Sequence, residues 1–125
     1  MKKIAIVTGL ALSLGFAATA DAQLITNKDL SLPMAVTIAQ TAIQTCKSQG
    51  YAVSAHVLGR SGEVLVAMRG DDTGPHTLEN SFKKAYTSRA QRISSGQFAE
   101  NAKNNPTLGA LHLSNMVPAQ GGLPI

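Results

Sequence analysis

No tryptophan occurs in this 125-residue chain, and aromatic side chains make up only 4% of it, as two Tyr and three Phe. Any core must therefore be built from Ala, Val, Leu and Ile. Cys46 is the single cysteine, which excludes an internal disulfide. There is no Cys-x-x-Cys pair, and His56, His76 and His112 do not fall at His-x-x-x-His spacing, so no local structural zinc site is indicated. Charged residues reach only 14%, too few for a charge-driven disordered chain. Neither a Gly-x-Ser-x-Gly elbow nor a phosphate-cradling glycine loop is present, and the paired carboxylates Asp71-Asp72 read as turn chemistry. A hydrolase finds little support.

What is present begins with Met1-Lys2-Lys3, followed by a charge-free stretch from Ile4 to Ala18. This predicts a secretory leader over residues 1–22, with Ala20-Asp21-Ala22 as the small-x-small cleavage signal and Ala18-Thr19-Ala20 as a second candidate. The stretch is shorter than the ~20 residues a membrane-spanning helix needs. Cys46 lies too far along to carry a lipid anchor. The expectation is an exported protein, periplasmic or extracellular, with no membrane anchor and one domain over residues 23–125. Loss of Lys2, Lys3 and Asp21 would lower the net charge from +4 to +3. The basic residues are not massed in one block, so nucleic acid is not expected as a partner. A small anionic ligand such as a carboxylate fits better.

Along residues 23–125, Ser31 and Pro33 open a helix, and Ala35, Ile38, Ala39, Ala42, Ile43 and Cys46 recur at spacings of three and four up to a stop at Gly50. Cys46 reads as a small apolar residue of that stripe. Tyr51 to Leu58 alternates as a strand, Gly59-Arg60-Ser61-Gly62 turns, and Glu63 to Met68 returns as a second strand. A helix is expected from about Pro75 to Arg92 with Leu78, Phe82 and Ala85 inward. Ser94 or Ser95 would cap a third helix carrying Phe98, Ala99 and Ala102. From Asn104 onward only short elements are expected. This order predicts an α+β domain in which helices cover an antiparallel sheet. Two strands alone make a marginal sheet.

The segment Arg69-Gly70-Asp71-Asp72-Thr73-Gly74-Pro75-His76-Thr77 carries most of the chemistry. With Gly74 capping the helix and Pro75 in its first turn, the N–H groups of His76 and Thr77 would lack helical partners and favour an anion, with Arg69 nearby. The helix dipole there favours a neutral imidazole that can offer a lone pair to a metal. His76 is therefore the leading ligand candidate. Asn80, Lys83 and Thr87 follow it at spacings of four, three and four, with Lys84 alongside. His56, mid-strand beside Ser54, is the second imidazole, read either as a hydrogen-bonded, partly buried side chain or as a further ligand.

Taken together, Leu32-Pro33 and its Ala-rich helix, Cys46-Lys47-Ser48-Gln49-Gly50-Tyr51, Val53-Ser54, Arg60-x-Gly62, Met68-Arg69, Gly74-Pro75-His76-Thr77, Lys84-Ala85-Tyr86-Thr87 and the closing Gly121-Gly122-Leu123-Pro124-Ile125 resemble the GlcG/HbpS-like family. The resemblance covers residues 31–125. It implies a profilin-like fold, an antiparallel sheet flanked by helices, of which the C-terminal strands and final helix are expected to be missing here. It also implies assembly into dimers or larger oligomers, and haem binding. On this chain the family's Gly-Pro-His-Thr histidine is His76, while Tyr86 would stack on the ligand and Lys84, or Lys83 beside it, would pair with a propionate. His56 and Gly59 depart from the family pattern, which has a small apolar residue and Asp there. The function expected is an exported haem-binding or haem-handling accessory protein. The alternatives are a module that binds a small organic acid without haem, and a haem-degrading enzyme.

Overall fold

A computed structural model describes residues 24–125. The leader expected over residues 1–22 lies outside these. The described part runs as helix α1 (Leu32–Ser48), strands β1 (Ser54–Leu58) and β2 (Val64–Arg69), helices α2 (Thr77–Gln91) and α3 (Ser95–Asn104), and a short 3-10 helix (Gly109–His112). The expected α+β class and element order hold.

Helix α1 starts where Ser31 Oγ accepts the Met34 N–H, with Pro33 in the first turn. It ends in a paired cap: Gly50, at φ 82°, donates to Lys47 O and Tyr51 donates to Cys46 O. That cap consumes the Tyr51 N–H, which is why β1 begins at Ser54 and not at Tyr51. The hairpin is antiparallel, with Ala55 opposite Met68 and His56 opposite Ala67, and its register shifts between Val57 and Leu58. At the turn Gly62, at φ 85°, donates to Gly59 O.

Helix α1 covers one face of the hairpin, where Ala35 and Ala39 pack against Val57 and Val66 with Ile38, Ala55 and Met68 around them. The small residues let helix and sheet approach closely, and they explain why the core is thin. Ala42, expected on the same stripe, is exposed. Helix α2 crosses the other face. It begins two residues later than expected, with Thr77 donating its N–H to Gly74 O, and ends at Arg92, whose φ of 57° is left-handed. Helix α3 is capped by Ser94, whose Oγ accepts the Gln97 N–H, and buries Phe98 and Ala102.

The segment after α3 is pinned by buried hydroxyls. Thr87 Oγ1 accepts the Val117 N–H at 2.9 Å, and Ser95 exchanges two bonds with Gly122, through its own N–H at 3.0 Å and its Oγ at 2.8 Å. Gly122 fits there because its backbone crosses directly over the Lys84 carbonyl, leaving no room for a Cβ.

One edge of β1 pairs with β2 and the other does not. Gly70 donates to Val53 O, so by the antiparallel alternation residues 53, 55 and 57 turn their backbone groups toward β2. Ser54 and His56 turn theirs outward, where no backbone partner meets them among the described residues. Such an edge is a template for a further strand.

Candidate functional site

A strand repeats its facing every two residues and a helix every three to four, so Ser54 and His56 on β1 come to face Thr77 and Ser81 on α2. The Ser54 and Thr77 hydroxyls meet at 2.8 Å, and His56 Nδ1 meets Ser81 Oγ at 2.8 Å. Each helix hydroxyl also bonds back to its own helix start: Thr77 to Gly74 O at 2.8 Å, Ser81 to Leu78 O at 3.0 Å. The result is a polar seam between sheet and helix. Phe82 closes it with its ring 5.7 Å from the His56 ring, edge to face, and Tyr86 continues the row at 5.7 Å from Phe82. Burial pushes the His56 imidazole below its ordinary pKa, so it is neutral at pH 7.

Along the unpaired edge of β1 runs a groove of about 960 Å³, bounded by α1, α2 and residues 121–125. That volume lies at the upper end of the roughly 300–1,000 Å³ usual for small-molecule sites. Leu30, Ile38, Cys46 and Leu58 give it an apolar wall, while Thr77, Ser81, Lys84 and Ser88 come from α2. Its basic residues are Lys28, Arg60, Lys84, Arg89 and Arg92, against Asp29 as the one acidic lining residue. An amphipathic anion is the ligand such a lining suits.

The structure brings together two of the candidates read from the sequence, His56 and Lys84, which both line the groove. Asn80 borders it as well, while His76, Lys83, Tyr86 and Arg69 lie outside it. His76 is exposed, its ring against Gly74. Lys83 pairs with Glu79 at 2.7 Å, which holds the Glu79 carboxyl below the usual carboxylate range. Tyr86 packs against Phe82 and the hairpin glycine Gly62, so it does not share a surface with Lys84. Arg69 braces its own loop, Nε to Thr73 Oγ1 at 3.1 Å and one terminal nitrogen to Thr73 O at 2.7 Å. With Thr77 N–H taken by Gly74 O as well, the anion site expected at the helix start loses one of its two donors.

The sequence reading chose the helix ridge through residues 76, 80, 83 and 87. The groove is lined mainly by the next ridge, through 77, 81, 84 and 88, and Asn80 is the one residue of the expected ridge that also reaches it. One residue is about 100° of helix, and Thr87, on the expected ridge, is fully buried. Arg89 and Arg92 were missed. They follow Ala85, another lining residue, at spacings of four and three, Arg92 being the cap that ends α2, and that spacing is a signal the sequence does carry. Among the described residues no three His, Cys, Asp or Glu side chains gather as a metal cluster, and no helix is long and apolar enough to cross a membrane.

Residues 30–125 match the family model described as "Haem degrading protein HbpS-like". The crystal structure of HbpS is similar at 29% identity and a TM-score of 0.77, over 82% of this chain and 72% of that one. A double mutant of HbpS from Streptomyces reticuli is similar at 28% identity and a TM-score of 0.77, over 87% of this chain and 75% of that one. The Klebsiella pneumoniae protein ORFY, of the DUF336 family, shares the fold at 20% identity and a TM-score of 0.69, over 86% of this chain and 74% of that one. No curated protein matches.

Proposed function

The chain belongs to the HbpS-like family, and from that premise we propose that it is an exported haem-binding or haem-handling accessory protein. The observation that carries this reading is the groove beside β1, where an apolar wall, several cations and one neutral imidazole stand together. These residues fit haem as a planar apolar body with two carboxylates and an iron. Lys84, Arg89 and Arg92 would pair with the carboxylates, the wall from α1 would cover the macrocycle, and a histidine would hold the iron. Bound haem would supply a redox-active iron. His56 and His76 compete as its ligand, His56 by its place in the groove and His76 by its place in the family's Gly-Pro-His-Thr segment.

Export is supported by the basic start, the apolar stretch and the small-x-small signal in residues 1–22. Assembly of the haem-free chain into a homo-oligomer is supported by the unpaired outer edge of β1, which a strand from a second copy would satisfy in competition with a ligand in the groove.

The test is a haemin titration of the purified protein, with stoichiometry and mass in solution measured together. One haem per chain with a Soret band, weakened when Lys84 and Arg92 are both changed to Ala, is the expected result. Uptake without fixed stoichiometry and indifferent to those cations would overturn the reading. Adding a reductant separates carriage from breakdown: a carrier keeps its Soret band, and a haem-degrading enzyme bleaches it.

A further inference from the structure

A serine hydroxyl has one hydrogen to donate. Ser81 Oγ stands 3.0 Å from the Leu78 carbonyl oxygen, which can only accept, and 2.8 Å from His56 Nδ1. With the hydroxyl hydrogen on Leu78 O, the contact to the ring requires Nδ1 to carry a proton. The reverse arrangement would set lone pairs of Ser81 and Leu78 against each other. A neutral His56 is thereby held as the Nδ1–H tautomer, with its lone pair on Nε2.

That nitrogen has no hydrogen-bond partner among the described residues. No side-chain nitrogen or oxygen among them is both fully buried and unpartnered, so Nε2 of the half-buried ring keeps some exposure. The ring's plane is held from two sides, by Ser81 at one nitrogen and by the Phe82 ring at 5.7 Å. Imidazoles that ligate metals are ordinarily oriented in this way, by a bond from the nitrogen that does not bind. His76 has no such partner among the described residues and lies outside the groove.

We propose that His56, through Nε2, is the imidazole that ligates the haem iron, and that Ser81 is the positioning residue that fixes its tautomer. This rests on the haem-binding reading above. It transfers the ligand role from the histidine of the family segment to one from the sheet.

Two measurements on the full chain test it. The first needs no haem: long-range nitrogen–proton NMR of the His56 ring, expected to show the proton on Nδ1, and a tautomer mixture in Ser81→Ala. A wild-type ring protonated on Nε2 overturns the inference and leaves the haem reading standing. The second is haemin binding followed by absorption and electron paramagnetic resonance. His56→Ala and the bulkier His56→Gln should both lose the imidazole-ligated signal while retaining wild-type circular dichroism, and His76→Ala should keep it. Ser81→Ala should bind haemin roughly 10- to 100-fold more weakly, with Ser81→Thr restoring affinity. Loss of the signal in His76→Ala alone overturns the assignment to His56. Failure of the wild-type chain to take up haemin overturns the haem reading together with the ligand role.

Discussion

The hydroxyls of Ser54 and Thr77 meet at 2.8 Å, joining the second face of the hairpin to the first turn of α2. Thr77 in turn donates to Gly74 O, so its one hydrogen is committed and Ser54 is the donor between them. Replacing Thr77 by Val removes the acceptor without removing bulk. A net loss of about 1 kcal/mol is expected for a half-buried neutral hydrogen bond. Urea unfolding should show this loss in Thr77→Val, and Ser54→Ala/Thr77→Val should cost less than the sum of the single changes. Additive costs would mean that the two hydroxyls do not act as a pair.

His56 makes stability depend on pH in a definite direction. Burial holds its folded-state pKa below the ordinary value of about 6.5. Between those two values the unfolded chain binds more protons than the folded one, so stability is fully present above about pH 6.5 and falls as pH drops toward the depressed value. The urea midpoint of the wild-type protein should decline between pH 7.5 and pH 5 more steeply than that of His56→Gln, which has no group titrating there. Equal slopes would show that the imidazole is not kept neutral by the fold.

Gly122 is where the tail crosses the Lys84 carbonyl, and a Cβ at that point has no space. Gly122→Ala should release the tail from Ser95 and leave α1 and the hairpin unchanged. Hydrogen exchange reads this locally: faster exchange at the amides of Ser95 and Gly122, which bond to each other's residues, with protection in β1 retained. The lining that residues 121–125 give the groove should loosen with them.

The outward backbone groups of β1 predict self-association of the haem-free chain. Ser54→Pro deletes one outward N–H and leaves the ladder to β2 intact, whereas Ser54→Ala keeps that N–H and loses only the hydroxyl. Light scattering should find the Pro variant shifted to monomer and the Ala variant assembled as the wild type. Identical masses for both variants would place any association elsewhere on the surface.

Helix α1 and α3 could be read from the chain because their signals are local. Ser31 with Pro33, Gly50, and Ser94 three residues before Gln97 act within one turn of the helices they bound. The hairpin was legible for the same reason, through alternation and the Gly59–Gly62 turn. The start of β1 was not, because the cap of α1 and the first strand residues compete for the same N–H groups, and Tyr51 bonding to Cys46 O decides the outcome. On α2 the existence of a helix was plain from spacing, but its rotation was not. A polar helix offers several hydroxyl-bearing ridges, and only docking on Ser54 and His56 selects the one through Thr77 and Ser81.

What the sequence determined by itself, then, was composition and local order: a core without tryptophan, helices bounded by their caps, a hairpin, and a family resemblance carried by short segments. Site membership was decided only in three dimensions. Lys83 and Lys84 are neighbours in the chain, yet one is paired to Glu79 and the other lines the groove. His76 had the stronger local setting, at a helix start, and His56 the stronger tertiary one, between Ser81 and Phe82. The physical reason is that a lone pair's direction depends on which nitrogen is hydrogen-bonded, and the hydroxyl that meets His56 Nδ1 comes from 25 residues away.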